Sequence, residues 1–292
     1  MKHTLENEFL RVEIADHGAE LSSLYDKTSS REVLWQADPA YWKRHAPVLF
    51  PNVGRHYGDH YTVGGATYPS KQHGFARDTD FTCIAHSESS VTHEMTSSEE
   101  TRTSYPFDFS LQITHTLCGR ELQVSWKVVN QSGKTMYFTI GGHPAFRVPV
   151  LEGTSYTDYS LAFEGQDSLT YLLLDPASGT ACPDKSCKLA LTDGSCRLTE
   201  HMFDHDALVF DGGQISRAGI LFPDGAPYLE LRCEGFANFG IWSVPGAPFV
   251  CLEPWMGRCD NCGYEGTLEE KPGINALDAG GTFEASYTIR VF

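Results

Sequence analysis

Apolar and polar residues alternate along much of the chain. The longest stretch is Glu121–Val128, where Leu122, Val124, Trp126 and Val128 interleave with Glu121, Gln123, Ser125 and Lys127. A period of two buries one face of a β-strand and solvates the other. The same period marks Leu10–Ile14, Phe109–Thr114, Leu229–Glu234 and Phe283–Val291. Leu21 and Leu24 fit a strand returning after Gly18. Tyr61–Val63 and Ala66–Tyr68 flank Gly64-Gly65, the pattern of a hairpin with a two-glycine turn. Residues 149–196 are less regular, with strands expected at Leu161–Phe163 and Tyr171–Leu174. Pro39–Trp42 reads as a turn or one helical turn, and Leu198–Phe203 as a short helix. There is no repeat, low-complexity tract or linker, so residues 1–292 are expected to form one all-β domain.

Two stretches break the alternation. Met136, Phe138 and Ile140 alternate with Tyr137 and Thr139, and the run then stops at Gly141-Gly142, followed by His143 and Pro144. Two glycines let a backbone leave a sheet or approach a ligand closely. Proline pushes the histidine before it toward extended geometry. With Ser132-Gly133-Lys134 read as a turn, His143 falls at the end of an antiparallel meander, at one sheet edge. It is either a proton-transfer group or a packed histidine after a turn. The second stretch, Phe249–Leu252, is continuously apolar, as expected of a strand covered on both faces. It delivers Glu253. A carboxylate there is costly unless paired or useful, and burial would raise its pKa. It is either a general base or a salt-bridged strand end, with Arg55 or Arg258 as partner.

Three further segments carry candidate chemistry. Ala46–Arg55 opens an apolar run onto Asn52, Gly54 and Arg55, whose guanidinium is either a loop cation or a fork of donors for hydroxyls or a carboxylate. Gln72–Asp78 holds His73 and Arg77 between a hairpin and the next strand. Asp206 precedes the apolar run Ala207–Phe210, as a turn carboxylate or a ligand-binding one.

Composition narrows the function classes. The 292 residues are 41% hydrophobic and 21% charged, which supports a sizeable core. A formal charge of −16 argues against nucleic acid as partner, and it disfavours an anionic substrate unless local arginines hold it. No apolar run approaches membrane-spanning length, and the N-terminus lacks the apolar core of a signal peptide. Nine cysteines, scattered in apolar strands, fit reduced thiols in a cytoplasmic protein better than a disulfide framework. Cys259 and Cys262 form a turn with two thiols or half of a zinc knuckle, for which Cys182 and Cys187 are a poor second pair. Nothing in the pattern sets an oligomeric state.

Taken together, PNVGR at 51–55, HGFARD at 73–78, GGHPAF at 141–146, HDALVF at 205–210 and EPWMG at 253–257 resemble the aldose 1-epimerase (mutarotase) family, in the family's order and across most of the chain. The resemblance implies a large antiparallel β-sandwich, a supersandwich, with a sugar cleft on one sheet. It implies a cofactor-independent isomerase with His143 as general acid and Glu253 as general base. His73 and Arg55 would bind the sugar, as would Asp206, or its neighbour Asp204 in its place. Trp255 would be an apolar platform or a packing residue. The acid and base would flank the C1–O5 bond from opposite sides. The HGFAR form is closer to divergent branches, including hexose-6-phosphate 1-epimerases. A free aldose, a sugar phosphate and carbohydrate binding without turnover are therefore the readings to separate.

Overall fold

The computed structural model describes all 292 residues. It is built almost entirely from antiparallel strands, with one short α-helix at Glu99–Arg102 and a few single 3₁₀ turns. A nine-stranded sheet runs in the order Ser195–Arg197, Ser160–Phe163, Arg217–Leu221, Pro227–Arg232, Thr282–Val291, Glu121–Asn130, Phe109–Cys118, Ser90–Thr96, Thr82–His86. An eight-stranded sheet runs Ala181–Ala190, Ser168–Leu174, Leu208–Phe210, Asn238–Trp242, Phe249–Met256, Ile140–Gly142, Val48–Leu49, and Ala145–Arg147 also pairs with Phe249–Met256. A four-stranded sheet, Lys2–Glu6, Leu10–Ala15, Leu21–Asp26 and Arg31–Glu32, precedes them in the chain. No helix is long and apolar enough to cross a membrane.

The period of two explains how the large sheets pack. Leu122, Val124, Trp126 and Val128 are all buried, and they join Val250, Leu252, Ile241 and Phe138 in one 57-residue core shared by both sheets. Burying the alternate residues of two facing sheets is the defining economy of a β-sandwich. Phe249–Met256 is buried on both faces, as its unbroken apolar run requires. Val250 and Leu252 point into the shared core. Phe249, Cys251 and Trp255, on the other face, belong to two smaller clusters under the loops. Glu253 lies on this second face by the same alternation.

The expected continuation of the meander into His143 is not what forms. Phe109–Cys118 and Glu121–Asn130 pair with each other in the nine-stranded sheet, but the chain then crosses to the other sheet. Met136–Phe138 pairs with Asn275–Leu277, and Ile140–Gly142 sits between Phe249–Met256 and Val48–Leu49, one strand in from the edge. The crossing is held by buried Asn130, whose amide donates to the carbonyls of Lys134, Leu277 and Asp278. Leu198–Phe203 forms no helix: Leu198 and Thr199 lie outside any element, with Leu198 N–H bonded to the Tyr159 carbonyl, and turns begin at Glu200. Several strands were not anticipated, among them Lys2–Glu6, where only one residue is buried, Ser90–Thr96, Arg217–Leu221, and Ala181–Ala190, a mostly exposed edge strand.

The two glycines before His143 serve packing rather than backbone freedom. Gly141 pairs with Trp255, and Gly240, on the strand at the other side, pairs with Glu253. A methyl group at either glycine would overlap the Trp255 ring. The indole therefore lies flat across three strands. Gly142 leaves room in turn for Tyr287 from the opposite sheet, whose hydroxyl would lie 2.9 Å from an added Cβ. Gly240→Ala is expected to lower stability by about 1–3 kcal/mol through overpacking. Gly133→Ala, where an added Cβ meets nothing within 4 Å, should change it little. Urea melts followed by tryptophan fluorescence check this, and equal midpoints for the two variants would show that the indole is not tightly seated.

Candidate functional site

A cleft of about 610 Å³ opens on the loop-covered face of the eight-stranded sheet, within the range of small-ligand sites. It is lined by Arg55, His73, His143, Asp206, Glu253 and Trp255, which gathers all six residues singled out from sequence. They come from five separate regions of the chain, brought together by the order of strands around Phe249–Met256.

His143 is fixed through its backbone. Its N–H donates to the Pro47 carbonyl, Ala145 N–H donates to His45, and Leu252 N–H donates to Pro144. Its ring is stacked on Trp42, with centroids 4.8 Å apart and planes at 28°, and Trp242 meets it edge-on at 5.6 Å. The imidazole is 6% exposed. Burial lowers its pKa to about 3, with the nearby charges of Arg77 and Arg44 adding to the effect. Its Nε2 lies 3.4 Å from Glu253 Oε2.

Glu253 is 1% exposed and has no cation partner. The two arginines proposed for a salt bridge are engaged elsewhere. Arg55 donates to both oxygens of Asp59 at 3.0 Å, and Arg258 Nε donates to Asp211 at 2.7 Å. Burial raises the Glu253 pKa well above the usual carboxyl range, and Asp206 pushes the same way. The Trp255 indole N–H opposes this without completing a hydrogen bond. Glu253 Oε2 and His143 Nδ1 are both buried without a hydrogen-bond partner. At 3.4 Å, His143 Nε2 and Glu253 Oε2 leave no room for a pyranose between them, so the two groups stand side by side rather than across a sugar-sized gap. O1 and O5 are bonded to the same carbon, and an adjacent pair can meet both along one edge of the ring.

His73 holds a left-handed backbone with φ of 65°. Its Nδ1 accepts from Gly54 N–H at 3.0 Å, which leaves the proton of the neutral ring on Nε2. Burial, then His143 and Arg77, hold its pKa well below the ordinary histidine value, so the ring is a neutral donor. Asp206, at φ of 70°, accepts from Ala207 N–H and forms no ion pair. Asp204 does not line the cleft, and His201 Nδ1 engages its carboxylate at 2.9 Å. Trp255 is 5% exposed and forms part of the cleft floor, so it packs and lines the cleft at once.

Sequence reasoning missed Trp42, Arg44 and Trp242, which also line the cleft. The only local signal was the run Trp42-Lys43-Arg44 beside a predicted turn. Arg77 was seen only as part of the HGFARD segment. Its guanidinium sits beside that of Arg44, which pairs with Asp78 at 2.7 Å, and Arg77 Nε is buried without a hydrogen bond. The zinc-knuckle alternative finds no support. A bridge between Ala181 and Asn261 sets Cys182 beside exposed Cys262, while Cys259 is buried at the cleft. Ligand atoms of His143 and Glu253, which line the cleft, and of Cys251, buried beside them, lie within 4.8 Å of one another. Burial, with the Glu253 charge, raises the Cys251 thiol well above its ordinary value, so a metal there would have to displace protons from two reluctant groups.

A sequence profile described as aldose 1-epimerase matches residues 1–225. The chain is 32% identical to Protein LacX of Lactococcus lactis subsp. lactis, with 98% of each chain covered. A galactose mutarotase related enzyme from Lactobacillus acidophilus superposes with a TM-score of 0.94 at 34% identity, covering 100% of this chain and 97% of that one. A galactose mutarotase-like protein from Lactobacillus casei ATCC 334 superposes with a TM-score of 0.91 at 31% identity, covering 100% of both. The chain belongs to the aldose 1-epimerase family.

Buried Glu253 has a consequence for stability. Its folded pKa is raised, so the native state holds a proton that the unfolded chain releases. Its contribution is therefore full below the ordinary glutamate pKa and is lost as pH rises toward the raised value. Glu253→Gln, which carries no titrating group, should match the parent at acid pH and become the more stable of the two as pH rises. Thermal melts across pH check this, and parallel curves would contradict it.

Proposed function

We propose that this family member is a sugar 1-epimerase, interconverting the α and β anomers of an aldose by acid–base ring opening. The contact between His143 Nε2 and Glu253 Oε2 at 3.4 Å, in a cleft of sugar size, carries the reading. Glu253 as carboxylate removes the proton from O1, His143 as imidazolium protonates O5, and the C1–O5 bond breaks to leave an aldehyde. The C1–C2 bond rotates. The same two groups then act in reverse, His143 taking a proton from O5 and Glu253 returning one to O1.

The pair needs one proton between its two members. Carboxyl plus neutral imidazole and carboxylate plus imidazolium hold the same number, so burial sets the resting form without changing the count. A lowered His143 resists a second proton and a raised Glu253 resists losing the first, which favours a broad pH plateau. The His73 Nε2–H donor supports the ring oxygen, Arg55 and Asp206 hold hydroxyls, and Trp42 with Trp255 supplies apolar surface for a sugar face. The protein is expected to work as a single domain, and the proton transfers themselves require no metal or nucleotide.

A second substrate reading, a hexose phosphate, is favoured by Lys43, Arg44, Arg55 and Arg77 lining the same cleft. Arg77 Nε makes no hydrogen bond and lies 3.9 Å from Asp78 Oδ2, so this guanidinium keeps donor capacity for an added phosphate oxygen.

Polarimetry or NMR exchange on fresh anomers of a panel of aldoses, with and without a 6-phosphate, tests both readings. Glu253→Gln and His143→Asn should each cut the rate by about 10²- to 10⁴-fold. If phosphate is recognised, Arg77→Gln should raise KM for the phosphate ester by roughly ten- to a hundredfold and leave the free sugar unaffected. Parent-like turnover in both pair variants would remove the mechanism. Tight sugar binding with no rate enhancement by the parent protein would instead make it a carbohydrate-binding protein.

A further inference from the structure

A polar cluster outside the cleft lies where the four-stranded sheet meets the edge of the nine-stranded one. Cys83, on the edge strand Thr82–His86, pairs in register with His93 on Ser90–Thr96. His3, on Lys2–Glu6, brings its ring edge-on to His93 with centroids 5.0 Å apart. Asp16 stands behind both rings, its Oδ1 lying 2.8 Å from His3 Nε2 and 3.2 Å from His93 Nε2. An ionised carboxylate only accepts hydrogen bonds, so each neutral ring gives it Nε2–H and keeps its lone pair on Nδ1. His93 is 0% exposed, and its Nδ1 has no hydrogen-bond partner. Ligand atoms of His3, Cys83 and His93 all lie within 4.8 Å of one another.

A purely structural network of histidines around an aspartate would account for the Nε2 contacts. It gives no reason for the fully buried, unpartnered Nδ1 of His93 on a residue in register with a thiol. Two imidazoles and a sulfur form a borderline-soft donor set that suits Zn²⁺ in tetrahedral coordination, with water or another small ligand in the fourth place. A carboxylate behind the ligating histidines is the usual support for such a site, since it fixes the tautomer and orients the ring.

We propose that His3, Cys83 and His93 bind a zinc-class divalent metal ion, with Asp16 orienting both imidazoles. Binding displaces the Cys83 proton to solvent, forms the sulfur–metal bond and changes no oxidation state. The ion ties Lys2–Glu6 to the last two strands of the nine-stranded sheet, clasping an otherwise open edge. The site shares no residue with the cleft, so it stands or falls independently of the epimerase reading.

The test uses the full-length chain without an affinity tag, freed of metal by a chelator that is then removed. Equilibrium dialysis with Zn²⁺ should find one ion per chain, and the melting temperature should rise with zinc. Co²⁺ in place of zinc should give the thiolate-to-metal charge-transfer band and the intense visible bands of a tetrahedral sulfur-containing site. Cys83→Ser should abolish the charge-transfer band, and Asp16→Asn should weaken zinc binding by about ten- to a hundredfold. The parent protein decides the question even if a variant misfolds: no bound ion, or a cobalt spectrum without thiolate ligation, overturns the proposal. Loss of the ion in Cys251→Ser with retention in Cys83→Ser also overturns it, by placing the metal in the cleft.

Discussion

A carboxyl group buried in the middle of a sheet, with no cation to balance it, is the constraint on which this structure turns. Removing an ionised carboxylate from water costs on the order of several kcal/mol even after relaxation. The usual remedy is an arginine. Here the cleft and strand-end arginines lie against other acids: Arg55 against Asp59, Arg44 and Arg77 against Asp78, Arg258 against Asp211. What remains beside Glu253 is an imidazole, itself buried and held neutral. The fold thus balances the group with a proton instead of a counter-charge. A proton is what the proposed acid–base pair would trade in, so the electrostatic problem and the proposed chemistry share one solution.

Packing makes that arrangement rigid. The Trp255 indole spreads over Gly141 and Gly240 and seals the sheet on either side of Glu253, while Trp42 stacks on His143. Three backbone hydrogen bonds hold the segment from His143 to Ala145 against neighbouring chain. Fixing both groups this way lets a substrate edge replace their mutual contact without reorganising the sheet. That is the sense in which a site on strands is more exact than one on loops.

Much of this was legible in the sequence because its signals were local. Alternation located the long strands, since burial of one face imposes it residue by residue. The unbroken run before Glu253 announced a strand covered twice, and a carboxylate in that setting announced an unusual pKa. The candidate residues themselves were found through short motifs, each tied to one strand end or loop. What stayed hidden depended on relations between distant segments. The crossing after Asn130 is decided by carbonyls at Lys134, Leu277 and Asp278, which no window around Ser132 contains. Lys2–Glu6 buries a single residue and so carries almost no alternation. Trp42 and Arg44 sit in an irregular loop, where neither period nor capping chemistry marks them as cleft residues.

Net charge misleads for a related reason. A formal −16 describes the whole surface, whereas a ligand in the cleft meets Lys43, Arg44, Arg55 and Arg77 at close range and Glu253 in a form that resists ionisation. Arg44 and Arg77 are near enough that burial and mutual repulsion lower the Arg77 pKa to about 10, against the opposing pull of Asp78. A crowded, partly dehydrated guanidinium gains more from an incoming anion than a solvated one does, because its desolvation has already been borne by the fold. The local field therefore bears on substrate choice in the opposite direction from the overall charge. At separations shorter than the screening length of about 8 Å in physiological salt, it is the local field that any ligand of the cleft would experience.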